Sequence, residues 1–94
     1  MRLLDLVKQL PGNEKPFKTL SVMTYELGDV AKCLVRMDTY PSNTIGYRAE
    51  MRKALADLYI QLLVLCEWFG FDIEDLRVLG ECALKERVSG ERVG

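Results

Sequence analysis

Three acidic residues stand out for the chemistry their spacing permits. Glu26 and Asp29 form a Glu-x-x-Asp pair in Tyr25-Glu26-Leu27-Gly28-Asp29-Val30-Ala31-Lys32, and Asp57 lies within Ala54-Leu55-Ala56-Asp57-Leu58-Tyr59-Ile60-Gln61-Leu62-Leu63. At about 100° per residue, acids at i and i+3 sit about 60° apart around a helix, so Glu26 and Asp29 make an acidic edge beside an apolar stripe. Asp57, set among leucines and alanines, would be expensive to bury without a partner. A divalent cation held between two helices would satisfy all three carboxylates, and Mg²⁺, with Mn²⁺ as a related choice, prefers such hard oxygen ligands. The plainer reading makes Glu26 and Asp29 solvated acids, with Lys32 and Arg36 as helical partners. Glu50 precedes Asp57 by two helical turns with the small Ala54 between them, which makes it a fourth candidate metal ligand on the same face. Its competing reading is an ordinary surface acid paired with Arg52 or Lys53.

What the chain lacks narrows the chemistry further. It has no histidine, which removes His-dependent triads, zinc sites and haem ligation. Cys33, Cys66 and Cys82 form no Cys-x-x-Cys pair and are odd in number, so they read as buried free thiols in a reducing compartment. Thirteen basic against fourteen acidic residues give a net charge of -1, without the positive surplus that attracts a nucleic acid polymer. Smaller phosphate ligands need only one or two cations, and Lys53 and Lys85 are the candidates for that contact. For each, ordinary solubilising charge is the competing reading.

Four helices must position these residues, and no alternating strand pattern is present, so the fold class is all-α. Leu3, Leu6, Val7 and Leu10 follow helical spacing until Pro11-Gly12. A long amphipathic helix is expected from about Phe17 to Asp38, carrying Leu20, Met23, Leu27, Val30, Ala31 and Leu34. Gly28 inside it costs ~1 kcal/mol relative to Ala, which suggests a place where another helix comes close. Tyr40-Pro41-Ser42-Asn43 is the main loop. A third helix runs from Thr44 or Gly46 to Phe69, closed by Gly70, and Asp72 caps a fourth from Ile73 to about Arg87. The tail from about residue 88 is expected to fray. All 94 residues read as one domain.

These segments resemble, in order, the MazG-like all-α nucleoside triphosphate pyrophosphohydrolases. Residues 25–32 look like that family's first acidic motif, usually Glu-Glu-x-x-Glu, and residues 54–63 look like its second, Glu-x-x-Asp followed by an apolar helix. Trp68-Phe69-Gly70-Phe71-Asp72-Ile73-Glu74-Asp75-Leu76 resembles the junction into its last helix. Tyr25 stands where the first motif begins with Glu, Asp29 where it ends with Glu, and Ala54 where the second motif has Glu. The resemblance implies a dimeric or tetrameric helical bundle that binds Mg²⁺ and cleaves a nucleoside triphosphate to monophosphate and pyrophosphate. Glu26, Asp29 and Asp57 would be its metal ligands and catalytic carboxylates. Carboxylate-bound Mg²⁺ can neutralise phosphoanhydride oxygens and orient a water. The alternative is a MazG-like oligomer without hydrolysis that serves as a nucleotide-binding or protein-interaction module.

Leu58 to Leu65 are apolar nearly all round, and a helix of that kind is buried on every side. The helices of one chain cannot wrap it alone, so a homo-oligomer with an intersubunit bundle is expected. The opening residues contain Asp5 and Lys8, unlike a secretory signal, and Leu58 to Cys66 is far shorter than the ~18 residues of a membrane span. The expectation is a cytoplasmic protein that does not engage membranes.

Overall fold

The computed structural model describes residues 2–93, with side chains described through residue 90. Among the described residues there are four α-helices and no strand: α1 (Leu3–Val7), α2 (Pro16–Thr39), α3 (Thr44–Phe69) and α4 (Ile73–Val93), with a 3-10 turn at Pro41–Asn43 between α2 and α3. The all-α expectation holds. Pro16 opens α2, where the missing N–H costs nothing. Gly70 ends α3 at φ 71°, and the amides of Gly70 and Phe71 both donate to the Cys66 carbonyl. Asp72 caps α4 as expected, its Oδ1 accepting the Glu74 amide at 3.0 Å.

α2 and α3 form an antiparallel hairpin and carry most of the packing between elements, with α1 on α3 next. Its seam is built from small side chains: Thr19, Cys33, Ala54 and Val64 are buried, and small residues let helix axes approach. The short α1 docks on the end of α3 through one acid. Glu67 Oε2 accepts the Leu4 amide at 2.6 Å, and Arg2 donates to the Glu67 carbonyl at 3.4 Å. Beside it, the Lys8 ammonium lies 4.6 Å above the Trp68 ring, and Leu4 is the buried residue of α1.

Several expectations are corrected. α1 stops at Val7 rather than Leu10, because residues 8–10 tighten into turns and Leu10 points to water. α4 continues helical to Val93 instead of ending near Arg87, since each residue added to a helix gains a backbone bond without needing tertiary contact. Gly94 lies outside the described residues. Gly28 is approached by no other helix: a methyl group there would meet nothing within 4 Å. Within one chain α3 is not buried on every side either. Leu58, Leu62, Leu63 and Leu65 are half-buried and Tyr59 is exposed, because α2 and α1 cover only part of its circumference. Of the thiols, Cys33 and Cys66 are buried, but Cys82 is exposed on α4. No single helix among the described residues is long and apolar enough to cross a membrane.

Two substitutions test these contacts. Glu67→Ala removes the acceptor that anchors α1, so the protein should lose about 1 kcal/mol by chemical denaturation, with faster hydrogen exchange at the Leu4 amide. Gly28→Ala, free of any neighbour, should stabilise by roughly 0.5–1 kcal/mol; a lowered melting temperature would show that something approaches Gly28 after all.

Candidate functional site

The hairpin brings the acids of α2 and α3 to one place. A cavity of about 400 Å³ between the helices is lined by Glu26, Asp29, Lys32 and Cys33 from α2 and by Glu50, Lys53, Ala54 and Asp57 from α3, with Tyr25 at its side. The antiparallel register does this: Cys33 lies across from Glu50, the thiol donating to Oε2 at 3.8 Å, and two turns further along Glu26 faces Asp57. The i, i+3 spacing sets Glu26 and Asp29 on one edge, as the helical geometry requires, and both are half-buried. Ala54 is buried in the wall, and its single methyl group leaves the cavity open between Glu50 and Asp57.

Asp57 differs from the expectation of a costly buried charge. It is exposed, because its neighbours Leu55 and Tyr59 are themselves uncovered and water reaches the carboxylate. Lys53 lines the cavity, whereas Lys85 sits exposed on α4 and takes no part in its walls. Lys32 reaches the cavity and Arg36 does not. Among the described residues, no ion pair engages Glu26, Asp29 or Asp57; those present join Arg2 to Glu67 and Arg77 to Glu74 and Glu81. Arg52 and Lys53 likewise leave Glu50 without an ion pair, and its partner is the Cys33 thiol. This thiol is the site feature that sequence reasoning missed. Its place one helical turn after Asp29 was readable, whereas its meeting with Glu50 was set by the register of α2 on α3.

The electrostatics record the crowding. Partial burial pushes the Glu26 carboxyl above its ordinary value of 4.5, the negative charges of Asp57 and Asp29 push it further, and Lys53 opposes them. A cation placed among these acids would reverse that shift. As the side chains stand, no three His, Cys, Asp or Glu residues among those described enclose a single point as a metal cage would. The donor set itself is hard oxygen on partly exposed side chains, which matches the chemistry of Mg²⁺ or Mn²⁺.

Comparison of the chain with known protein families, with curated proteins and with solved structures gives no match. What the cavity can do is therefore argued from its own residues.

A carboxyl held above its unfolded value binds more protons in the native state, so its contribution to stability is greatest below pH 4.5 and is lost as pH rises through the folded value. Glu26→Gln removes that penalty. The variant should be at least as stable as the parent at pH 7, and its denaturation midpoint should fall less between pH 4 and neutrality. A variant clearly less stable at pH 7 would mean that ionised Glu26 is compensated by a contact the electrostatics do not contain.

Proposed function

We propose that the protein is a Mg²⁺-dependent nucleoside triphosphate pyrophosphohydrolase that releases nucleoside monophosphate and pyrophosphate. One observation carries this reading: Glu26 and Asp29 from one helix and Asp57 from the next line a single cavity, without ion-pair partners among the described residues. Four carboxylates line the cavity against the two cations Lys32 and Lys53, so the site keeps a net negative charge that a cation from outside could offset. Glu26, Asp29 and Asp57, with Glu50 beside them, would hold the metal, and Mn²⁺ is an equivalent occupant by ligand chemistry. A bound Mg²⁺ supplies Lewis-acid stabilisation of phosphate oxygens. Lys53, and Lys32 at the same wall, would add positive charge toward a polyphosphate chain entering the cavity. A carboxylate left free of metal could accept the proton of an attacking water. The MazG-like pattern of the two acidic segments supports the same substrate class.

Ala54 favours a second reading. It stands where a further carboxylate would complete the pattern, and its buried methyl offers no ligand. A chain that binds a nucleotide without cleaving it, or serves as an interaction module, fits that loss.

A panel of ribo- and deoxyribonucleoside triphosphates with Mg²⁺, assayed separately for pyrophosphate and orthophosphate, separates the two. Pyrophosphate together with monophosphate is expected, and Asp57→Asn should lower turnover by roughly 100-fold or more. Mg²⁺ should also raise the melting temperature of the parent and not that of Asp57→Asn. Binding without turnover would establish the second reading, and a parent indifferent to both metal and nucleotide would sink the proposal.

A further inference from the structure

The acids of the cavity suit a metal and its lysines suit phosphates, but neither would tell a nucleotide from bare polyphosphate. What remains of the lining is Cys33, Ala54 and Tyr25. Cys33 and Ala54 are buried, one with its thiol on Glu50 and the other with its methyl group in the wall. Tyr25 is the opposite, with 69% of its surface exposed at the side of the cavity. Ring contacts among the described residues join Phe69 to Phe71 and Lys8 to Trp68, and leave Tyr25 without one. An apolar ring left in water can be covered by a second flat ring from outside the chain.

Position along α2 gives the ring its use. Tyr25, Asp29 and Lys32 are spaced i, i+4 and i+7, so they follow one another along a single edge of the helix over roughly 10 Å. That edge borders the cavity, and from one end to the other it offers an aromatic face, a candidate metal ligand and a cation. A nucleoside triphosphate carries matching groups in the same order: a flat base, phosphates that chelate a divalent cation, and terminal phosphates whose charge a lysine offsets. The acids then stand between base and terminal phosphate, at the stretch of the substrate where the proposed cleavage falls.

The exposed rings on the other side of the hairpin do not fit this purpose. Tyr59 belongs to an apolar strip with Leu20, Leu27 and Leu55 that reaches Leu62 and continues to Phe69 and Phe71 at the bend. Two residues along a helix turn about 200°, so Tyr59 lies roughly 160° around α3 from Asp57, and a base stacked there would hold its phosphates away from the acids.

We infer that Tyr25 is the platform on which the nucleobase stacks, and that it makes the cavity selective for nucleoside triphosphates over inorganic polyphosphate. The inference rests on the proposed nucleotide reading and adds to it the residue that recognises the nucleoside. Stacking uses the π-face that every base has, so the selection is for a base as such, with little choice among bases.

The test compares ATP with inorganic tripolyphosphate, each with Mg²⁺, in the parent and in Tyr25→Ala, Tyr25→Leu and Tyr25→Phe. KM reads the affinity where there is turnover, and Kd where a nucleotide binds without it. The alanine and leucine variants should weaken ATP by roughly 5-fold or more with little change in kcat, and Tyr25→Phe, which keeps the ring, should match the parent. Tripolyphosphate should bind all four proteins alike, so the preference for ATP falls by the same factor. Tyr25→Leu keeps apolar bulk and helix propensity, so it carries the test if the alanine variant fails to fold. ATP affinity that is indifferent to loss of the ring overturns the inference and leaves the hydrolase reading standing. Equal weakening of ATP and tripolyphosphate also overturns it, because the ring would then support the phosphate or metal site. A parent that takes up no nucleotide overturns the hydrolase reading and this inference together.

Discussion

The close seam between α2 and α3 is the constraint on which the remaining features depend. Ninety-four residues supply one long helical hairpin, and its two helices meet through Thr19, Cys33, Ala54 and Val64, side chains small enough to keep the axes near one another. Because the seam is narrow, it buries little else. Its antiparallel register then decides which residues share a level, and so places Glu26 opposite Asp57 and Cys33 opposite Glu50. A slip of one turn would separate the acids and leave the cavity without its donor set. Ala54 connects the two roles, because the same small side chain that permits the seam also leaves room between Glu50 and Asp57.

The acidic cavity and the apolar strip are opposite consequences of that geometry. A two-helix layer has two faces, and a single chain this short has no third layer with which to cover either. One face carries acids that water can solvate, so it stays stable while open, at the cost recorded in the raised Glu26 pKa. The other carries leucines and aromatics, for which exposure is unfavourable by roughly 25 cal/mol per Å². The bend at Gly70 adds to this imbalance, because it sends α4 away from the hairpin when folding back would have covered part of the strip.

Charge placement separates paired acids from the acids of the cavity. Glu67 is engaged by the Leu4 amide and by Arg2, and Glu74 and Glu81 both grip Arg77 on α4. Those acids anchor or decorate helices. Glu26, Asp29 and Asp57 have no such partner among the described residues, although Lys32 and Lys53 line the same cavity. The chain thus carries two kinds of carboxylate, some neutralised by a neighbour and others facing the cavity without an ion pair among the described residues.

Local physics made the helices legible in the sequence. Apolar residues at helical spacing, Pro16 and Pro41, the left-handed Gly70 and the Asp72 cap all act within a few residues, so α2, α3 and the start of α4 follow from adjacent side chains alone. The pairing of Glu26 with Asp29 was visible for the same reason, being a matter of helical angle. Tertiary structure alone decided the rest. Whether Asp57 is buried depends on how much of α3 the neighbouring helix covers, and with Leu55 and Tyr59 on either side left uncovered it proved exposed. That Lys53 lines the cavity and Lys85 does not follows from the direction in which α4 leaves Gly70. Cys33 joined the site through a register between residues 17 positions apart, and no local pattern encodes a register. The periodicity of a helix tells each residue which side it faces, but only the packing of one helix on another determines what that side meets.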